Sequence, residues 1–303
     1  MTEEEYIEII NSIKNEEVAG IMFEALLTLH DQLELRQHTM TEEDSWIYCL
    51  FKAFFKMYNT IYHLSNEIPY FFKDHIKYID IRSINIQIRS CHEIYLIYNY
   101  ITATIIADGS VEERKLKYSA YRLAGALDNK RIYNRIKNFD GYRERYENEV
   151  LRIDREIREC RQLISKNPVY KMLSGNIKNA VQNGQWKITK STKLGWNDLL
   201  DGTPMPRAYG EFQYNTLSLY AHSSHASLEL EAQHDYDMIC ALAYLYKLTA
   251  LMCMTTVTAF KLTELDKRTR VLINDLAVMG NSIVAKAEEI RHAQQAAGNQ
   301  DAT

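Results

Sequence analysis

Apolar residues recur every three or four positions along most of this chain, which is the spacing of a helix that buries one face. The pattern is clearest between residues 18 and 33 and between residues 42 and 61. Pro69 interrupts it and predicts a new helix start, because proline suits the first turn of a helix. The run from Ile84 to Ala107 has no turn residue and is apolar on nearly every side, so we expect one buried helix there. The chain is therefore predicted to be all-α, a multi-helix bundle.

The segment from Tyr142 to Lys166 has a narrower apolar stripe than the rest of the chain. Its apolar positions step alternately by four and three residues, as in the seam of a coiled coil, and charged residues occupy the other positions. The seam is too short for a full coiled coil. We expect one long heptad-like helix that packs on a neighbouring helix or on a second copy of the chain. The seam residues are Tyr146, Val150, Ile153, Ile157, Cys160 and Ile164.

Glycine, proline and tryptophan are concentrated between residues 184 and 210, which predicts the principal irregular loop. Elsewhere the chain contains no stretch with the composition of a linker between domains. The predicted organisation is one helical domain over 1–292, with core helices in 1–137 and 211–292 and the long basic helix and loop in 138–210, followed by a disordered tail over 293–303.

Composition narrows the class of protein. Four prolines and 11 glycines in 303 residues exclude collagen-like and low-complexity chains, and 46% hydrophobic residues supply a core. The five cysteines never form a C-x-x-C pair, which predicts free thiols in a reducing cytosol rather than a disulfide scaffold or a structural zinc site. The acidic amino terminus is unlike a signal peptide, which also favours a cytoplasmic protein. No phosphate-binding, dinucleotide-binding, G-x-S-x-G or H-E-x-x-H motif occurs, and no cofactor is predicted.

One apolar run, Met238 to Phe260, is long enough to cross a bilayer. Lys247 near its centre would cost about 2.5–3.5 kcal/mol in a membrane. No basic cluster flanks the run on one side. We therefore expect a buried core helix and no membrane partner.

Charge is distributed unevenly along the chain. Residues 130–197 hold sixteen Lys and Arg against seven Asp and Glu, a net charge of +9, whereas the whole chain carries −4. Part of this segment is typical of a solvated helix face, since its arginines alternate with acids. Residues 166–197 differ, because six lysines occur there with no acid. A basic segment on an acidic body favours binding of RNA or another polyanion. The candidate binding residues are Lys178, Lys187, Lys190 and Lys193.

Two polar stripes interrupt otherwise apolar helices. Arg89 and Glu93 stand four residues apart and so share one helix face, where their pairing would offset the cost of burying either charge. The second stripe steps by three or four residues and carries a hydroxyl, imidazoles and a carboxylate. Histidine is the side chain best suited to proton transfer near neutral pH, although hydrogen-bonded contacts between helices would give the same pattern. The second stripe consists of Tyr214, Ser218, His222, His225 and Glu229.

Metal binding is the alternative for the second stripe. His222, His225 and Glu229 are residue types that bind transition metals, and Glu231 and His234 form a Glu-x-x-His pair. Metal sites in helical bundles usually need two such pairs. Only one is present, and no metal is predicted.

Short motifs on the two stripes carry a family resemblance. They are R-S-x-x-E, formed by Arg89, Ser90 and Glu93, and Y-x-x-L-S-x-x-x-H, formed by Tyr214, Leu217, Ser218 and His222. Together they resemble a group of uncharacterised all-helical bacterial proteins known only as a domain of unknown function. That group is similar in turn to abortive-infection and HEPN-type (higher eukaryotes and prokaryotes nucleotide-binding) proteins. The resemblance covers residues 40–260 and implies a protein of antiviral defence, or a toxin, that binds or acts on RNA.

If the resemblance extends to catalysis, the activity that it implies is metal-independent RNA cleavage. His222 would then be the base toward a ribose 2′-hydroxyl, Arg89 would stabilise the developing phosphorane charge, and Glu93 would orient one of them. Ser218 and Tyr214 would hydrogen-bond the phosphate, and the lysine-rich loop would hold the RNA backbone. HEPN ribonucleases carry the arginine and the histidine a few residues apart on one helix, whereas His222 belongs to a different predicted helix from Arg89.

The rival interpretation is a non-catalytic helical scaffold that forms homo-oligomers. In that case the polar stripes specify helix packing, and the seam around Ile157 joins two copies of the chain. A catalytic Arg89–His222 pair must line a cleft, whereas a structural pair is sealed from solvent. For both interpretations we expect Arg89, Glu93, Ser218 and His222 to converge between two packed helices, because unpaired buried charges are costly.

Overall fold

The computed structural model describes residues 1–66, 68–70, 73–136, 141, 143–222, 224–231 and 234–279. The predicted all-α, multi-helix fold is confirmed. The helices are α1 (Glu3–Ser12), α2 (Asn15–Arg36), α3 (Glu42–Leu64), α4 (Ile81–Thr102), α5 (Val111–Ile136), α6 (Arg143–Lys166), α7 (Pro168–Met172), α8 (Gly175–Gln182), α9 (Arg207–Ala221), α10 (His225–Glu231), α11 (His234–Phe260) and α12 (Lys267–Val278). The other described elements are two short 3₁₀ helices (Gln37–Thr39 and Asn197–Gly202) and an antiparallel pair of strands, β1 (Ile68–Tyr70) and β2 (Lys73–Tyr78).

Several helices begin where the sequence supplies a capping residue. The Thr41 hydroxyl accepts a hydrogen bond from the Asp44 N–H at 3.1 Å and starts α3. Asn167 caps α7, and Pro168 occupies the first helical position, where its missing N–H costs nothing. Asp266 caps α12 in the same way as Thr41 caps α3. These side chains satisfy N–H groups that have no partner within the helix.

Two local predictions are wrong. Pro69 lies in β1 opposite Lys77 and does not start a helix. A strand in a two-stranded sheet has an unpaired edge, which tolerates a residue without an N–H. Helix α4 ends at Thr102 instead of Ala107. The Ala107 N–H donates to the Glu113 carboxylate at 2.8 Å and so leaves the helical ladder.

The described chain divides into two compact units. The first unit comprises residues 1–99 with the described residues from 203 onwards, and the second comprises residues 100–202. The sequence predicts a long helix and a loop over 138–210. The second unit of the structure also includes α5, because α5 and α6 pack along each other. The predicted tail over 293–303 lies outside the described residues.

Helix α11 forms the centre of the first unit, where it packs on α2 and α12. Its segment Met238–Phe260 is, among the described residues, the one helix long and apolar enough to span a membrane, and 61% of its most apolar stretch is buried inside the protein. A core helix meets the same criteria of length and composition. Lys247 on this helix is fully buried, and its ammonium group donates to the backbone carbonyls of Ala277 at 2.5 Å and Met279 at 2.7 Å. A lysine thereby caps the carboxyl end of α12, where the helix dipole favours a positive charge.

The predicted heptad-like helix is α6, and its seam packs on α5 within the second unit. The sequence left open whether the seam packs on a helix of the same chain or on a second copy. For the buried part of the seam, the covering element is a neighbouring helix of the same chain. The core that they share also receives α7 and α8. Its buried residues include Leu116, Leu123, Ile153, Ile157, Cys160, Ile164, Val169 and Ile177.

A buried ion pair organises the connection between α4 and α5 in the second unit. Glu113 and Lys117 are 1% and 3% exposed, and the Lys117 ammonium lies 2.8 Å from the Glu113 carboxylate. The same carboxylate accepts four consecutive backbone N–H groups, those of residues 106–109, at 2.6–3.0 Å. Lys117 also donates to the Thr104 carbonyl. Every polar atom of the pair therefore has a protein partner, as a buried pair requires.

Candidate functional site

A polar cluster joins α4, α9 and α11 in the first unit. One turn of α4 carries Arg89, His92 and Glu93, and the spacing of three and four residues directs all three toward neighbouring helices. Tyr214 of α9 meets this turn. Its hydroxyl accepts from the Arg89 guanidinium at 3.1 Å and donates to the Glu93 carboxylate at 3.0 Å.

The charges of this cluster neutralise each other. The Arg89 guanidinium lies 3.1 Å from the Glu93 carboxylate, and the two side chains are 24% and 28% exposed. The guanidinium also lies over the Tyr214 ring, 5.2 Å from its centroid. Burial raises the pKa of the Tyr214 hydroxyl, so it stays protonated as a donor to Glu93. The cluster is therefore a closed triangle of cation, carboxylate and hydroxyl that solvent reaches at one edge.

His92 is the buried member of the cluster, and the sequence did not single it out as a site residue. Its Nδ1 lies 2.6 Å from the hydroxyl of Tyr244 on α11, and its ring meets the edge of the Tyr214 ring at 5.3 Å. Burial lowers the pKa of His92 to about 3, so the imidazole is neutral in the folded protein. Its Nε2 has no hydrogen-bond partner among the described residues. A sealed, neutral imidazole suits a structural contact better than proton exchange with solvent.

Ser218 and His222 do not join the Arg89 triangle. The Ser218 hydroxyl donates to the Tyr214 carbonyl of its own helix at 2.7 Å. His222 is the exposed carboxyl-terminal cap of α9, and its side chain forms no hydrogen bond or ion pair with the described residues. Of the residues assigned to RNA cleavage, the structure brings together Arg89, Glu93 and Tyr214.

The second polar stripe does not continue along one helix. Helix α9 ends at Ala221 and α10 begins at His225. Ser224 explains the break, because its hydroxyl accepts from the Ser227 N–H at 3.3 Å and caps the new helix. His225 and Glu229 then face each other on the exposed surface of α10, 3.5 Å apart. They form a pair of their own, separate from the cluster at Tyr214.

Replacing Tyr214 tests whether the triangle holds the helices together. Tyr214→Phe removes the hydroxyl that accepts from Arg89 and donates to Glu93 but keeps the aromatic ring. We therefore expect the free energy of unfolding to fall by about 1–2 kcal/mol. Ser218→Ala is the matched control on the same helix and should change stability by less than about 0.5 kcal/mol. Urea unfolding followed by circular dichroism measures both variants. Equal effects of the two substitutions would contradict the role assigned to Tyr214.

The four lysines assigned to nucleic-acid binding all lie in the second unit. The Lys178 ammonium donates to the Lys171 carbonyl at 2.8 Å. Lys187 lies over the ring of Trp196, 4.0 Å from its centroid. Lys190 and Lys193 are exposed on the hairpin-like loop that follows α8, where residues 188 and 193 pair as an isolated antiparallel bridge.

Metal ligands are not gathered anywhere in the part of the chain that the structure describes: no group of three His, Cys, Asp or Glu side chains there has the arrangement of a metal site. His222, His225 and Glu229 are all exposed, and the break between α9 and α10 interrupts their spacing. The side chains of Glu231 and His234 lie outside the described residues. The described chain therefore offers no ligand set for a metal.

Comparisons with known proteins give one family and no individual relative. No curated protein matches the chain, and no solved structure does. A model for a family of unknown function, DUF5677, matches residues 44–238, which include both Arg89 on α4 and Tyr214 on α9. The expectation of an uncharacterised domain of unknown function is thus confirmed. Because the match spans more than half of the chain, this protein belongs to the DUF5677 family.

Proposed function

We propose that this protein binds RNA through a lysine-rich surface of its second unit, defined here as Lys171, Lys178, Lys190 and Lys193. The observation that carries the proposal is the convergence of lysines from three elements. The Ser174 N–H at the start of α8 donates to the Lys190 carbonyl at 3.2 Å, and the Lys178 ammonium reaches the Lys171 carbonyl at 2.8 Å. Lysines of α7, of α8 and of the loop that follows α8 therefore belong to one region of the surface.

The charge of the lysine-rich surface is not neutralised by the described part of the chain. Lys190 and Lys193 are exposed and form no ion pair with any described residue. The segment 166–197 contains no acid that could supply one locally. On the neighbouring helix α6, Glu156 already pairs with Arg122 at 3.0 Å and Asp154 with Lys130 at 2.6 Å. An unbalanced positive surface of this kind attracts a polyanion and gains free energy by releasing its counterions.

RNA is the polyanion that the sequence resemblance implies, because the motifs on α4 and α9 resemble those of proteins related to the HEPN type. A cytoplasmic location and a part in antiviral defence belong to the same proposal. Membership of DUF5677 is compatible with it and adds no function, since that family has none assigned.

Binding is supported better than cleavage by the contacts of the candidate catalytic residues. The Arg89 guanidinium is already paired with Glu93 and Tyr214, so a phosphate would have to compete with a carboxylate for it. The His222 side chain forms no hydrogen bond or ion pair with any residue of that triangle. The scaffold alternative would need a surface other than the Ile157 seam, because α5 covers Ile157.

The salt dependence of RNA binding tests the proposal. Each phosphate neutralised by a lysine contributes roughly 0.7–0.9 to the slope of log affinity against log salt concentration. The double variant Lys190→Ala, Lys193→Ala should therefore lower that slope by about 1.4–1.8 and weaken binding of RNAs of different sequence alike. Fluorescence anisotropy with a labelled mixed-sequence RNA, at several salt concentrations, measures it.

A charge-matched variant provides the control. Lys14 and Lys56 are exposed lysines of the first unit, and replacing both by alanine removes the same charge without touching the lysine-rich surface. That variant should leave the slope unchanged. No binding by the wild-type protein at low salt would overturn the proposed function. Incubation of the same RNA with wild-type protein and with His222→Ala shows whether cleavage accompanies binding and depends on His222.

A further inference from the structure

We infer that the RNA is bound as a single strand, with one of its bases stacked on the side chain of Trp196; this inference rests on the proposed function. Two tryptophans, Trp186 and Trp196, flank the hairpin-like loop that carries Lys190 and Lys193. Their ring centroids are 6.1 Å apart, and the rings meet edge to face at 77°. An aromatic pair beside exposed lysines is the combination with which proteins bind single strands, since rings take up bases and lysines take up phosphates.

The loop that holds the two tryptophans is fixed at both of its ends. Gly184 ends α8 with a φ of +91°, a left-handed conformation that favours glycine, and the N–H groups of residues 184 and 185 close the helix by bonding back to Val181 and Ala180. The Leu194 N–H donates to the Lys187 carbonyl at 3.0 Å on the far side of the hairpin. The backbone at both tryptophans is therefore constrained before any ligand arrives.

The two tryptophans have different roles in this arrangement. Trp186 packs against the core of the second unit and meets the rings of Tyr100 at 5.7 Å and Tyr121 at 5.0 Å. The Tyr100 hydroxyl also bonds to the Trp186 carbonyl at 3.0 Å. Trp196 is half-buried and touches the Trp186 ring, but it is not among the side chains packed against that core. Trp186 is therefore the supporting ring, and Trp196, which is partly exposed and lies outside that core, is the ring that we infer receives the base.

Lys187 adds a charge to this ring. Its ammonium lies 4.0 Å from the Trp196 centroid and 5.3 Å from the Trp186 centroid, within the range of a cation–π contact. The ring that we infer receives a base therefore has a positive charge beside it, and this charge attracts the phosphate of the bound nucleotide.

Stacking distinguishes a single strand from other polyanions. The faces of duplex bases are already stacked on one another, and polysaccharides such as heparin have no aromatic bases. A surface that uses charge alone would bind all of these in proportion to charge density. The geometry at Trp196 therefore favours single-stranded RNA over duplex RNA and over heparin.

Substitution of Trp196 is the test. Trp196→Ala should weaken binding of a single-stranded RNA oligonucleotide by about 5- to 150-fold, the range expected for loss of one base stack. Heparin binding by the same variant should stay within about twofold of wild type, which also shows that the lysine-rich surface is intact. Trp196→Phe keeps an aromatic face and should retain RNA affinity within about threefold. Quenching of tryptophan fluorescence on binding, measured in a Trp46→Phe background, should disappear in Trp196→Ala.

Failure of this inference is distinguishable from failure of the proposed function. If wild type binds single-stranded RNA, duplex RNA and heparin alike and Trp196→Ala changes none of them, the stacking inference is wrong and the binding function stands. If wild type binds none of the three at low salt, the proposed function itself is wrong. A parallel titration with single-stranded DNA of the same sequence shows whether the sugar matters: equal affinity indicates that stacking and phosphate contacts suffice, as the contacts at Trp196 and Lys187 predict.

Discussion

Glu113→Ala is expected to lower the free energy of unfolding of the second unit by about 3–5 kcal/mol. The substitution leaves the Lys117 ammonium, which is 3% exposed, without its carboxylate. It also removes the acceptor for the four backbone N–H groups of residues 106–109. Unsatisfied buried donors and an uncompensated buried charge are among the costliest defects that a single substitution introduces. Urea unfolding followed by the fluorescence of Trp186 and Trp196, in a Trp46→Phe background, reports on this unit.

The neighbouring residue supplies the control for Glu113. Glu112 is partly exposed and pairs with Lys115 at 2.8 Å on the surface. Glu112→Ala should cost less than about 1 kcal/mol, since exposed pairs contribute little. The double variant Glu113→Ala, Lys117→Met should be more stable than Glu113→Ala alone, because it removes the stranded charge. A cost for Glu113→Ala no larger than that for Glu112→Ala would contradict the assignment.

The Glu113 carboxylate should also make the free energy of unfolding depend on pH. Burial by itself would raise the pKa of Glu113. The hydrogen bonds from Lys117 and from the backbone N–H groups lower this pKa by more than burial raises it, and the net value is about 2. The stabilisation from a carboxyl with a lowered pKa is complete above the ordinary pKa, 4.5, and is lost as the pH falls toward 2. Acid unfolding monitored at Trp186 and Trp196 should therefore be shifted in Glu113→Gln relative to wild type within that window.

Helical periodicity predicts those features that depend on one helix at a time. The all-α fold and the seam of α6 follow from spacing alone, because a face that repeats every three or four residues must be covered by something. The proximity of Arg89 and Glu93 has the same origin. Periodicity does not predict which helix covers a given face. The contact of Tyr214 with Arg89 and that of Tyr244 with His92 depend on how helices distant in the sequence are aligned. A single sequence contains no signal for that alignment.

The pair Glu113–Lys117 shows why burial of charge escapes sequence reasoning. The run VEERKLK has the composition of a solvated helix face, and its Glu and Lys four residues apart form the commonest surface pair. Burial comes from the connection between α4 and α5, whose backbone N–H groups turn inward onto the carboxylate. Backbone N–H groups are present whatever side chains the residues carry, so their positions are not recorded in the sequence. The side-chain pattern therefore does not reveal them.

Lys247 provides the second large effect, a rise in stability with pH. Burial lowers the pKa of its ammonium to about 8, whereas the unfolded chain keeps the ordinary value of 10.5. Between these values the unfolded state binds more protons than the folded state, so the free energy of unfolding increases as the pH rises. From pH 7 to pH 9.5 the gain of wild type relative to Lys247→Met should be about 2 kcal/mol.

The comparison with Lys247→Met isolates this one group. Buried Cys253 and Tyr58 have raised pKa values and destabilise the fold at high pH, but they are present in both proteins and cancel in the difference. Lys56→Met, an exposed lysine of α3, is the control and should follow wild type at every pH. Urea unfolding at pH 7, 8, 9 and 9.5 gives the difference curves. A constant gap between wild type and Lys247→Met over this range would show that the ammonium which caps α12 titrates like an ordinary surface lysine.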